Sequence, residues 1–174
     1  MESTIRPATA GDAARLRMLQ AELTEAAPKL LAAAIPRSDT SDRIDTSGRN
    51  DTGDHIETSG HKTTAATPAD KAFSLLVSVN EANIAVGYLL ALAGETTHIA
   101  ELVVDPAYRR EGRANELLTT LIEHGEGPIT VHVAVDNTAA RELYRTVGFQ
   151  RQARNDGQFE HAAGLTLRYP AGER

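Results

Sequence analysis

The chain has 174 residues, 41% of them hydrophobic but only 4% aromatic, with no cysteine, no tryptophan and a formal charge of −6. That length suggests one domain with an aliphatic core, and the missing cysteine excludes disulfides, thiolate metal sites and a thiol nucleophile. The acidity argues against a nucleic-acid partner. No stretch approaches the roughly 20 apolar residues that cross a bilayer, and no apolar run follows the first residues, so no membrane partner is expected and a cytoplasmic protein is the simplest expectation.

Residues 3–6 read as a short strand ended by Pro7. Thr9 with Asp12 three residues on has the form of a capping box. Leu16, Leu19 and Leu23 then recur at helical spacing, and the pattern predicts a helix reaching Ala27, closed or kinked by Pro28. A second helical stretch is expected over residues 29–35.

At residues 37–70 the composition changes to Ser, Thr, Asp, Gly and His, with only Ile44 and Ile56 as large apolar residues. Such a segment cannot bury enough surface to offset its ordering entropy. It reads as a disordered insertion inside a single domain covering residues 1–174. His55 and His61 stand among carboxylates there, but nothing fixes ligand geometry in a polar loop, so no metal site is expected.

Strands are expected at 72–79 and 84–93, with Gly87 at a bulge, and at 98–104. A helix follows Gly112, with Leu117, Leu118, Leu121 and Ile122 on one side, and stops at Gly125 and Gly127. Residues 129–135 alternate as a strand. Residues 137–147 form a helix closed by Gly148, and 149–154 with 165–169 make a last pair of strands. The order predicts a mixed α/β domain with a partly parallel sheet.

Two segments carry chemistry. Leu102-Val103-Val104-Asp105-Pro106 runs into Arg109-x-x-Gly112-x-Ala114 and then a helix. A helix start offers unpaired N–H donors and partial positive charge, and glycine lets the backbone approach an anion closely. This is read as a diphosphate cradle for an acyl-coenzyme A. The spacing does not match the Gly-x-Gly-x-x-Gly of a dinucleotide fold. One helix and one strand later comes Val135-Asp136-Asn137-Thr138-Ala139-Ala140-Arg141-Glu142-Leu143-Tyr144-Arg145-Thr146-Val147-Gly148-Phe149. Asn137 or Thr138 can cap this helix, and Gly148 suits a left-handed end.

In this order and spacing the two segments resemble the GNAT superfamily of acyl-coenzyme A-dependent N-acetyltransferases, over about the last 100 residues. The resemblance implies a central, mostly antiparallel sheet with a parallel pair at the cofactor site and helices on both faces. It implies acetyl-coenzyme A as co-substrate and no metal. Leu102, Val103 and Val104 would pair with the pantetheine arm. Arg109, Arg110, Gly112, Arg113 and Ala114 would hold the diphosphate, Asn137 would contact the cofactor, and Tyr144 would approach the thioester sulfur. Arg113 departs from the family, which usually has an apolar residue there; it is expected either to reach a phosphate or to be solvated.

The implied reaction moves an acetyl group to a primary amine, by direct attack through a tetrahedral intermediate. The acceptor is expected to be a small-molecule or peptide amine, and a homodimer is among the expected states because dimers are frequent in the family. The alternative is a catalytically silent acyl-coenzyme A sensor or scaffold. Tyr144 is the candidate acid for the departing thiolate, and a backbone N–H near Val104 the candidate oxyanion donor. His98 is the candidate base. Strand alternation places it on a face with Ala100, Leu102 and Val104, with Glu101 on the other face. His132 either lines the substrate side or is a half-buried strand residue.

Overall fold

The computed structural model describes residues 4–24, 26–37, 73–125, 127–157, 159 and 162–170. The inferred insertion at 37–70 lies outside the described residues, apart from Arg37. Seven strands form one sheet in the order β1-β2-β3-β4-β5-β7-β6. They are β1 (Thr4–Pro7), β2 (Phe73–Val79), β3 (Ala85–Leu92), β4 (Thr97–Val104), β5 (Ile129–Ala134), β6 (Gln150–Asn155) and β7 (Gly164–Tyr169). All neighbours are antiparallel except β4 and β5.

Helices α1 (Ala13–Gln20) and α2 (Pro28–Ala34) cover one face. Leu16, Leu19 and Leu31 pack there against Leu75, Val77, Tyr88 and Leu90. Helices α3 (Arg113–His124) and α4 (Thr138–Val147) cover the other. Leu117, Leu118, Leu121 and Tyr144 meet Leu89, Ile99, Val131, Val133 and Leu165 there. The aliphatic core inferred from composition is therefore two thin layers, one on each side of the sheet.

The first helix is shorter than its leucine spacing predicts: it ends at Gln20, and residues 21–24 and 26–27 lie in the loop before α2. Pro28 does not end that helix. It opens α2, in the first turn, where a missing N–H costs nothing. The loop is held from the sheet, because the Ala27 N–H donates to the Glu101 carboxylate. Ahead of α1, the Thr9 N–H donates to Asp12 at 2.8 Å, the bond a capping box predicts, and the Thr9 hydroxyl also donates to that carboxylate at 2.8 Å. Arg6 adds two bonds to the same carboxylate, at 2.8 and 3.0 Å, and holds its pKa down at about 2.

Two irregularities shape the centre. Register shifts between Ser78 and Val79, where the extra β3 residue is Val86, next to Gly87 rather than at it. Gly87 answers a different need: a Cβ there would sit 3.0 Å from the Val103 carbonyl oxygen. On β4, Leu90 pairs with Glu101 and Ala91 with Ile99, leaving Ala100 as a bulge. A bulge inserts one residue and reverses the alternation beyond it.

Candidate active site

The parallel pairing of β4 and β5 is brief. It joins Thr97, His98 and Ile99 to Ile129, Thr130 and Val131, and stops there. The bulge at Ala100 follows at once, so β4 turns away and the two strands splay. Two cavities open along the gap. One, of about 580 Å³, runs over Leu102, Val103 and Val104 to Arg109, Arg110, Gly112, Arg113 and Ala114. The other, of about 670 Å³, is lined by His98, Glu101, His132, Asp136 and Phe159 among others. Glu22, Leu23, Leu102, Asn137, Ala140 and Tyr144 line both.

The first cavity gathers the residues expected from the sequence around a donor. Gly112 caps α3 with φ +85°, and nothing lies within 4 Å of where its Cβ would be. The first helical hydrogen bond runs from the Glu116 N–H to the Gly112 carbonyl at 3.0 Å, so the Arg113, Ala114 and Asn115 amides precede the helical ladder. Arg109 donates through Nε to the Val104 carbonyl at 2.9 Å, and its Nη2 lies 3.7 Å from Glu22 across the cleft. Asn137 caps α4 by accepting from the Ala140 N–H at 3.1 Å. At the other end Gly148 takes φ +111°, the left-handed turn its position predicts.

Arg113 is not the solvated residue that one of its two expectations describes. It is 5% exposed, and so not solvated, and its guanidinium bonds toward the sheet. Nε donates to Glu111 at 2.8 Å, while Nη1 donates to the Ser78 hydroxyl and the Val79 carbonyl, both at 3.1 Å. As the first residue of α3 it points down against β2, where its stem is covered.

Tyr144 sits where the cavities meet, 4% exposed, its ring edge-on to Phe149 at 5.2 Å. Burial pushes its phenol pKa well up, so the proton is retained at neutral pH. Among the described residues the hydroxyl has no hydrogen-bond partner, in contrast to the Tyr88 hydroxyl, which donates to Glu101 at 2.7 Å.

The bulge overturns the expected facing on β4. His98 pairs with Leu92 and Glu101 with Leu90, so both stand on the α1–α2 face, while Leu102 and Val104 face away. His98 instead gains His132. Thr130, its partner on β5, is two residues from His132, so both imidazoles share a face, with ring centres 4.8 Å apart. Their Nδ1 atoms lie 3.2 Å from the Thr130 and Thr166 hydroxyls respectively. Burial, and then the neighbouring His132, lower the pKa of His98; burial alone lowers that of His132. Both are therefore held toward the neutral, proton-accepting form.

Glu101, set aside by the alternation, organises the wall of this cavity. It is 3% exposed and accepts from Gln20 Nε2 at 2.9 and 3.1 Å, from the Tyr88 hydroxyl and from the Ala27 N–H. Its only sequence signal is a carboxylate inside the apolar run Ile99 to Val104. Among the described residues no group of three or more His, Cys, Asp or Glu side chains could hold a metal, and no helix is long and apolar enough to cross a membrane.

The acetyltransferase (GNAT) family model matches residues 45–149, more than half of the chain. The chain belongs to this family. The N-alpha-acetyltransferase RimI of Mycobacterium tuberculosis is 38% identical over 73 residues, covering 40% of this chain and 46% of that protein. The curated relatives that match are only partly spanned, from 24% to 49% of their length. The ribosomal-protein-S18-alanine N-acetyltransferase of Escherichia coli superposes with a TM-score of 0.70 at 16% identity, covering 99% of this chain and 98% of that one. Arabidopsis thaliana NAA60 in complex with acetyl-CoA gives 0.69 at 14% identity, covering 97% and 98%. These likenesses establish a GNAT fold: a seven-stranded, mostly antiparallel sheet with one parallel pair and helices on both faces.

Proposed function

We propose that this chain transfers an acetyl group from acetyl-coenzyme A to a primary amine by direct attack. The observation that carries the reading is the position of Tyr144, a buried phenol with no hydrogen-bond partner among the described residues, at the junction of the cleft at the start of α3 and a histidine-lined cavity. The residues fit the donor. Amides at the start of α3 face the diphosphate, Gly112 leaves room for it, and Leu102 to Val104 offer a strand edge to the pantetheine arm. Charge-assisted hydrogen bonds contribute roughly 1.5–3 kcal/mol each, so several on one diphosphate support micromolar binding after association costs.

In the second cavity an amine must shed a proton before attack. An alkylammonium near pKa 10.4 costs roughly 4–5 kcal/mol to neutralise at pH 7. His98, neutral and facing the acceptor space beside His132, accepts that proton in this reading. The nitrogen lone pair then adds to the thioester carbonyl, with a β4 backbone N–H near Val104 steadying the oxyanion. When the tetrahedral intermediate collapses the C–S bond breaks, Tyr144 donates its proton to the departing thiolate, and the second proton of the attacking nitrogen is shed through solvent and restores the phenol. Glu22, Glu101 and Asp136 line the acceptor cavity with no Lys or Arg among its described lining residues, which favours a cationic acceptor. The substrate named for the Haemophilus ducreyi relative, an alanine of ribosomal protein bS18, makes a peptide N-terminus one acceptor class to test.

The test is thiol release from acetyl-coenzyme A across small amines and peptides, for the unaltered chain and Tyr144→Phe. Turnover that Tyr144→Phe lowers supports the proposal. Coenzyme A binding without turnover on any amine would make the chain a silent acyl-coenzyme A module instead.

A further inference from the structure

We infer that Arg113 is a positioning residue for the donor's diphosphate: from below the cradle it draws the Glu111 carboxylate out of the phosphate path and fixes the loop. This rests on the donor assignment above. The loop presents amides to an anion yet carries a carboxylate of its own, at Glu111, between two residues in the left-handed region, Arg110 at φ +70° and Gly112 at φ +85°. A free carboxylate there would repel the diphosphate and cancel part of the helix-start charge. Its partner is Arg113, with Nε 2.8 Å from Glu111 Oε2.

The guanidinium is in turn held by β2, through the Ser78 hydroxyl and the Val79 carbonyl. It also lies 5.2 Å from the ring centre of Tyr108, another residue lining the donor cleft. The Tyr108 hydroxyl accepts from Asn80 Nδ2 at 3.3 Å, so both ends of the loop are tied to the end of β2.

Stability alone does not explain a cation here. Arg113 is buried but the Glu111 side chain is 40% exposed, and a pair so open to water adds at most about 1 kcal/mol. What an apolar side chain cannot do is neutralise Glu111 beside an anion site.

The experiment titrates coenzyme A by calorimetry into four proteins: the unaltered chain, Arg113→Met, Glu111→Gln, and the two changes combined. Melting temperatures are measured alongside. Arg113→Met is expected to weaken binding about tenfold, the order of one lost charge-assisted interaction. Adding Glu111→Gln is expected to recover most of that loss, because it removes the freed carboxylate. Glu111→Gln alone should bind at least as tightly as the unaltered chain, which keeps the inference testable even if Arg113→Met fails to fold. Recovery by a second substitution is a result that loss of packing would not give. Equal affinity in Arg113→Met, no recovery in the double variant, or weaker binding by Glu111→Gln would each overturn the role. An unaltered chain that binds no coenzyme A would instead overturn the donor assignment, and this role with it.

Discussion

Substitution of Gly112 separates backbone strain from charge at the cradle. Gly112 has φ +85°, and no atom lies within 4 Å of an added Cβ. Alanine therefore meets no clash, and its cost is the left-handed conformation, about 1–2 kcal/mol. For a chain of this size that lowers the melting temperature by roughly 2–8 °C. Asparagine tolerates the same conformation better and adds bulk without charge. Aspartate adds a negative charge facing the donor cleft. Two unit charges about 5 Å apart repel by roughly 3 kcal/mol at an effective dielectric of 20, and solvent in the cleft reduces this to about 2. Aspartate should therefore bind coenzyme A about 30-fold more weakly than asparagine at the same position. Calorimetric titration gives the affinities, and thermal unfolding gives the strain. If the two variants bind coenzyme A equally, the diphosphate does not sit at the start of α3 and the donor assignment fails.

Three further outcomes follow from the same geometry. Tyr144→Phe keeps the edge contact with Phe149 and removes a hydroxyl that has no partner among the described residues, so stability should change by less than about 0.5 kcal/mol while kcat falls at least about 100-fold; a rate within threefold of the unaltered chain would take Tyr144 out of the chemistry. His98 has its pKa below the ordinary 6.5, so kcat/KM should rise with pH along a limb centred below 6.5 and lose that limb in His98→Gln; a midpoint above 6.5 would contradict the assignment. The sign for stability is the same, because the unfolded chain takes up this proton at higher pH than the folded one, and folding weakens as pH falls through that window. Glu101→Ala strands the Gln20 amide, the Tyr88 hydroxyl and the Ala27 N–H, and should cost about 3–5 kcal/mol in chemical denaturation; a loss under about 1 kcal/mol would show that the 21–27 loop is held by other contacts.

The chain's local chemistry was enough to specify both ends of α4 and the start of α3. Asn137 can accept from an amide three residues on, Gly148 can turn left-handed at no steric cost, and Gly112 can expose the first amides of a helix; these are properties of a few neighbouring residues. The strand order of periodicities, with one helical unit between β4 and β5, likewise implied the parallel pair. Tertiary structure decided the rest, because pairing between distant strands sets it. The bulge at Ala100 exists only against β3, and it alone moves Glu101 to the side of His98 and opens the gap between β4 and β5. The early end of α1 depends on a carboxylate some eighty residues away, reached by both Gln20 and Ala27. Arg113 reads as a surface cation at a helix start until β2 is laid beneath it. A period of two or of 3.6 reports which way a side chain points along its own element, but not which distant group waits there to pair with it.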